Sequence, residues 1–247
     1  DAPLTLSFQQ VDDWLTCPLK YRYIHVLRVP IRLHPTVIYG HAVHRAIQAY
    51  HMAKKQGRTL ALEDLLRVFR GAWRSEGFLS AEQEAEMLAQ GEKSLRAFYE
   101  FEEERDARPT FVERYFAFAE GGAKVIGYWD RVDRGEDGAV IIDYKTSEVS
   151  QDAAGRRARE SLQLAIYALA YERLFGARPL GVELRFLGPE GVVVGRAKPT
   201  DRMLRRAVEA IREAEQGVRA RNFSARPSFG ACRPCAYRDI CPAAKPL

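Results

Sequence analysis

The chain has 247 residues, of which 47% are hydrophobic and 29% charged. That composition excludes a disordered or low-complexity protein, and the length excludes a small disulfide-held scaffold, because a chain of this size builds its own core. The net charge is +5, and only eight of the 38 cations are lysine, leaving 30 arginines. Arginine presents a planar fork that suits phosphate, so the balance permits a nucleic-acid partner. A GC-rich genome or a thermophilic host gives the same bias, so charge alone does not identify a partner. No stretch reaches the roughly 18–20 apolar residues that span a bilayer, and no signal peptide precedes the first element. The expectation is a cytoplasmic protein with no membrane partner. The chain begins at Asp1 rather than Met, which suits a piece of a longer polypeptide.

Helical signals come first along the chain. Ser7 is placed to cap a helix over 7–27, with Phe8, Val11, Leu15 and Leu19 at helical spacing and Pro18 breaking the pattern. A second helix is predicted after Gly40, with Val43, Ile47 and Tyr50 on one face. Residues 59–106 read as two or three more helices, with Ser80 and Gln83 resembling a capping box. The period then changes. Residues 111–118, 123–133 and 139–146 read as strands, and the turn chemistry of Arg134-Gly135-Glu136-Asp137-Gly138 makes the last two an antiparallel hairpin. One long helix over 157–175, strands near 181–187 and 191–197, a helix over 200–220 and a tail bearing proline and cysteine complete an α/β plan.

The hairpin carries the strongest chemical signal. Asp143 and Lys145 stand two apart on a strand and so leave the same face, while Tyr144 points the other way. Asp130 is expected near the end of the preceding strand, within reach across the turn. Two carboxylates and a lysine converging at a sheet edge suit a hard cation such as Mg²⁺ or Mn²⁺. A lone D-x-K triplet also fits an exposed strand-end ion pair.

The surrounding residues point further. Gly127-Tyr128-Trp129-Asp130-Arg131-Val132-Asp133 followed by Asp143-Tyr144-Lys145-Thr146 resembles the PD-(D/E)xK nuclease superfamily, and more closely the nuclease domains of RecB, AddA and AddB. Gly40-x-x-x-His44 and Gln163-x-x-x-Tyr167 are similar to that family's helical motifs. Leu6-Ser7-Phe8 and Cys17-Pro18-x-Lys20-Tyr21 are similar to the start of such domains, so the likeness runs from about residue 5 to residue 242. Glu113 matches an acidic position often seen there. His41, His44 and His51 share one predicted helix, and only the motif selects His44.

The resemblance implies a single domain over 1–247 with a restriction-endonuclease-like core, a small mixed sheet flanked by helices. Its catalytic core would cover 110–197, with a helical insertion over about 40–106. Asp130, Asp143, the Tyr144 carbonyl and His44 would hold the metal. Lys145 would orient water or neutralise charge on the phosphate, and Gln163 and Tyr167 would hold Lys145 or the DNA backbone. The implied activity is metal-dependent hydrolysis of DNA, on single-stranded ends. The domain would serve a UvrD-like helicase motor, on the same polypeptide or in a complex. A non-catalytic DNA-binding or scaffold module, and a zinc-stapled RNA-processing nuclease, are the alternatives.

The four cysteines follow the pattern C-x214-C-x2-C-x5-C from Cys17 through Cys232 and Cys235 to Cys241. Four thiolates at such spacing suit zinc or an iron–sulfur cluster, with disulfides third. The resemblance to AddB-type nucleases implies a 4Fe-4S cluster joining the first helix to the tail. Arginines 156, 157 and 159 lead into the expected site and are read as phosphate contacts; those at 202, 205, 206 and 212 are read as a solvated helix face.

Overall fold

The protein is described here by a computed structural model covering residues 4–31, 34–105 and 107–245. Its strands are β1 (Leu4–Ser7), β2 (Phe111–Glu120), β3 (Ala123–Gly135), β4 (Gly138–Lys145), β5 (Gly181–Gly188) and β6 (Gly191–Ala197). They form a mixed six-stranded sheet in the order β1-β3-β4-β5-β6, with β2 pairing with β3. Helices flank it, as expected for a restriction-endonuclease-like core. The chain divides into two compact units, one of residues 33–115 and 128–200, the other of 1–32, 116–127 and 201–247.

In the first unit, helices α3 (Pro35–Lys55), α4 (Leu62–Ala72) and α5 (Ala81–Glu103) pack an apolar stripe together. Val43, Ile47 and Tyr50 of α3 join Leu65 and Phe69 of α4 and Phe98 of α5 over Ile142 and Tyr144. The hairpin of β3 and β4 closes through Gly135 opposite Gly138, so the turn itself is Glu136-Asp137. Gly138 has φ of 139°, a conformation that side chains with a Cβ avoid. β4 then pairs parallel with β5, which requires a crossover connection.

That crossover is where the expected single helix over 157–175 fails. The chain forms α6 (Gln151–Glu160) and α7 (Leu162–Phe175) instead. Ser161 between them is extended, with ψ of 117°, and its hydroxyl caps α7 by accepting from the Leu164 N–H. A serine that caps cannot also continue the preceding helix. Leu164 through Tyr171 of α7 are all buried, so apolar periodicity carries no boundary signal there. The helix expected after Gly40 starts earlier, because Pro35 occupies its first turn and the His34 ring accepts from the Thr36 N–H.

In the second unit β1 runs parallel to the start of β3, with Leu4 opposite Ala123 and Ser7 opposite Ile126. This strand is too short to show alternation and goes unrecognised in the sequence. Ser7 ends it and caps α1 (Phe8–Thr16) through a reciprocal box with Gln10. Pro18 does interrupt the helix: α2 (Pro18–Tyr21) and a π-turn segment, Arg22–Val26, replace its second half. Trp14 of α1 lies against Gly217 of α8 (Asp201–Arg219), where a Cβ would fall 1.8 Å from the Trp14 ring. The tail forms α9 (Phe229–Cys232) and a 3-10 turn, Arg238–Ile240. Among the described residues, no helix is long and apolar enough to cross a membrane.

Candidate metal centre

α3, β2, β3, β4 and α7 of the first unit bring the singled-out residues together. Asp130 lies inside β3 rather than near its end, and its Oδ2 accepts from the Tyr144 N–H at 3.0 Å. His44 of α3 reaches the same place. Its Nε2 lies 3.1 Å from the Tyr144 carbonyl and its Nδ1 3.6 Å from Asp130 Oδ2. A carbonyl only accepts, so Nε2 carries the proton and Nδ1 presents a lone pair toward the carboxylate. Glu113 completes the group: ligand atoms of His44, Glu113 and Asp130 all lie within 4.8 Å of one another.

Glu113 stands out for its backbone. Its φ is 47°, a left-handed conformation near the start of strand β2. For a residue with a Cβ this costs of order 1–2 kcal/mol, and such strain concentrates at functional sites. The distortion accompanies the meeting of its carboxylate with that of Asp130 on β3 and the imidazole of His44 on α3.

Asp143 stands outside that group of three. It is nearly fully buried, and its Oδ1 accepts from Gln163 Nε2 at 2.7 Å. Its Oδ2 is ion-paired with Lys145 Nζ at 2.7 Å, off the alignment of a hydrogen bond. Lys145 donates instead to Gln163 Oε1 at 2.6 Å, and Gln163 Nε2 also reaches the Tyr167 hydroxyl at 2.9 Å. Gln163 and Tyr167 sit one turn apart on α7, so their helical spacing places both over the strand carrying Asp143 and Lys145. The amide orientation is fixed by its neighbours, since only the carbonyl end can accept from the ammonium.

The electrostatics are those of crowded acids. Burial pushes the Asp130 carboxyl well above its ordinary value, Asp143 and Glu113 add to this, and the Tyr144 N–H and Lys145 oppose it. Burial likewise raises Glu113, with Arg45 opposing and Asp143 reinforcing. His44 is pushed down by burial despite the nearby Asp143, which favours its neutral, ligating form. Burial, then Asp143 and Asp130, raises Tyr167 and keeps it a neutral phenol. Hard carboxylate oxygens and a neutral imidazole nitrogen are the donor set of a small divalent cation.

The other two histidines separate cleanly. His41 is exposed, and His51 is buried on the opposite side of β4, 2.7 Å from the Tyr144 hydroxyl. There it joins a charged cluster that the sequence reading missed. The Glu102 carboxylate receives Arg131 at 2.7 Å and Arg185 at 2.6 Å, and Arg131 also clasps Asp133 through two bonds of 2.8 Å. Glu102 lies in a run of acidic residues closing α5, which by composition reads as solvated.

The four cysteines belong to the second unit. All are free thiols, so no disulfide joins them. No three of their sulfurs lie within 4.8 Å of one another. A tetrahedral zinc with bonds of about 2.3 Å would draw them closer than that. That spacing does not suit one Zn²⁺ held by three or more of these thiolates, and it does not by itself support the expected 4Fe-4S cluster. Cys17, Cys232, Cys235 and Cys241 nevertheless line one pocket together with Lys20 and Tyr237. The tail is tied to the first helices without sulfur ligation: the Tyr237 hydroxyl donates to the Val29 carbonyl at 2.9 Å, and the Arg226 N–H points to Cys17 Sγ at 3.4 Å.

A mixed sheet flanked by helices, with a D-x-K strand beside an acidic cation site, defines a metal-dependent nuclease core. The sequence agrees: the chain belongs to the PD-(D/E)XK nuclease superfamily, whose pattern matches residues 5–242. Nucleases of that superfamily use divalent metals and act on DNA. The chain is 24% identical over 269 residues to the gene 69 protein of Mycobacterium phage D29, covering 97% of each. It is 24% identical to the gene 69 protein of Mycobacterium phage L5, over 97% of this chain and 96% of that one. A crystallised protein from Eubacterium rectale, described as a proposed exonuclease, shares the fold with a TM-score of 0.56 at 15% identity, over 98% of this chain and 90% of the other.

Proposed function

We propose that the protein is a Mg²⁺- or Mn²⁺-dependent deoxyribonuclease that hydrolyses phosphodiester bonds at single-stranded ends. The observation that carries this reading is the meeting of His44, Glu113 and Asp130 beside Asp143 and Lys145. Asp130, Asp143, the Tyr144 carbonyl and His44 would hold the cation, with Glu113 as a further ligand. When bound, such an ion lowers the pKa of a water and polarises a phosphoryl oxygen. Lys145 brings a positive charge to the place where charge builds on the phosphate. Gln163 holds that ammonium in line, and Tyr167 holds Gln163. The full set of acidic, lysine and imidazole groups favours catalysis over a scaffold role. The test is digestion of end-labelled single-stranded and duplex DNA, with RNA alongside, in Mg²⁺ and in Mn²⁺. No cleavage of any strand in either metal would overturn the reading.

Cation binding should release protons. Asp130 and Glu113 hold theirs above the ordinary carboxylate range of about 4, and a ligand oxygen must lose its proton first. Affinity for Mg²⁺ or Mn²⁺ therefore rises with pH through the range where these two ionise. The linked stability has the opposite sign. A carboxyl whose folded pKa is raised favours the cation-free fold at low pH, and that contribution is lost as pH rises through the folded value. Titration calorimetry in buffers of different ionisation enthalpy reads the released protons; pH-independent binding without proton release would contradict the expectation.

The motifs that resemble RecB and AddB support two finer parts of the reading. One is service to a helicase motor, on the same polypeptide or in a complex. The other is a 4Fe-4S cluster on Cys17, Cys232, Cys235 and Cys241. Ligands of a cluster sit on different irons, so their sulfurs stand farther apart than around one zinc, and the shared pocket suits that. Burial pushes the Cys235 thiol up, the Tyr237 N–H and Lys20 oppose this, and Cys17 and Cys241 add to it. Anaerobically purified protein is expected to be brown, with iron and sulfide bound, and Cys235→Ala to lose the colour. A colourless wild type free of iron would remove the cluster from the proposal.

A further inference from the structure

Two tyrosines flank the acidic group, and nothing in the hydrolytic chemistry uses them. Tyr115 follows Glu113 by two residues on β2, and Tyr128 precedes Asp130 by two on β3. At about 3.3 Å of rise per residue, each backbone position is within roughly 7 Å of its carboxylate neighbour's. The two rings meet edge to face, with centroids 5.3 Å apart. Both remain open to solvent, Tyr115 at 45% and Tyr128 at 53% exposure. A ring pair kept for packing would be covered, as Trp129 next door is, at 1%.

Exposed arginines lie near the acidic group. Arg114 lies between Glu113 and Tyr115 in the chain, with its guanidinium over the Phe111 ring, and Arg45 follows His44 on α3, close enough to Glu113 to act on its charge. Open aromatic faces, with exposed arginines near the same acidic group, are what a single nucleic-acid strand needs: rings for its bases and cations for its backbone. Bases inside a duplex are stacked on one another and offer these rings no face.

We propose that Tyr115 and Tyr128 form a stacking platform that holds an unpaired base of the substrate strand next to the bond to be cut. This rests on the nuclease reading and makes the aromatic pair the source of a preference for single strands. Stacking is indifferent to base identity, so the platform selects for unpaired structure rather than for sequence.

The experiment uses two fluorescein-labelled strands of equal length and charge, one of oligothymidylate and one in which several consecutive nucleotides lack their bases. Affinity is measured by anisotropy in Ca²⁺, and KM and kcat in Mg²⁺. Wild type should bind the intact strand about 10–100-fold more tightly than the abasic one, the range expected for one stacked base. Changing both residues, Tyr115→Ala with Tyr128→Ala, should raise the KM of the intact strand by a similar factor and erase the difference between strands. Tyr115→Phe with Tyr128→Phe should restore it, since a phenyl ring stacks as well as a phenol. Equal binding of both strands by wild type, or undiminished discrimination in the double alanine variant, would overturn the platform. Failure of wild type to cleave in Mg²⁺ would instead strike the nuclease reading, and the anisotropy comparison would still decide the platform.

Discussion

Replacing Glu102 with alanine is expected to cost about 3–5 kcal/mol of folding stability, because it strands buried positive charge. Arg131 and Arg185 both point at this one carboxylate, and all three side chains are out of water or nearly so. Asp133 and Glu183 still partner the two arginines afterwards, which keeps the loss from being larger. Against a total stability of roughly 5–15 kcal/mol, such a loss can unfold the domain at physiological temperature. Glu102→Gln keeps the volume and one acceptor while discarding the charge, so it should fall between alanine and wild type. Urea denaturation followed by circular dichroism reads both. A change under about 1 kcal/mol for the alanine variant would mean the arginines re-pair or reach water, and that the cluster is not a structural strut.

The largest effect on activity is expected at Lys145. Lys145→Ala should lower kcat by about 10²–10³-fold, the range seen when one positioned charge-stabilising group is removed. Stability should change little, since the ammonium is about one-third exposed and its partners are polar. Metal affinity should persist, because the group formed by His44, Glu113 and Asp130 does not include the lysine. Gln163→Ala should give a smaller loss of the same kind, by letting the ammonium swing. The informative comparison is therefore kcat against the Kd for Mn²⁺. Loss of both together would show that Lys145 organises the carboxylates rather than acting on the phosphate.

What could be read in the sequence was mostly what strands and helices repeat. Alternation marked β2, the change of period and turn residues marked β3 to β6, and the spacing of two placed Asp143 and Lys145 on one side with Tyr144 on the other, as found. The i, i+4 spacing brought Gln163 and Tyr167 together, as the hydrogen bond between them bears out. Glu113 was singled out only by its likeness to a family position. Its distinguishing property, a left-handed backbone, leaves no mark in composition or period. The cluster around Glu102 was illegible for a different reason. Its members come from α5, β3 and β5, and a charged side chain reads as solvated until its partners are known to converge. The three histidines of α3 make the same point, because one helix delivers them to solvent, to the acidic group and to the buried cluster.

The way Trp14 meets Gly217 has a temporal consequence. The two partners are far apart in the chain, with α8 beginning 185 residues after α1 ends at Thr16. At about 5–20 residues per second, α1 must wait roughly 10–40 s for the helix that covers it. The unit of residues 33–115 and 128–200 has been fully translated before then. A nascent chain therefore lacks this cover over the Trp14 indole until α8 has been made. A chain truncated before α8 lacks it permanently, a mark that folding quality control can read.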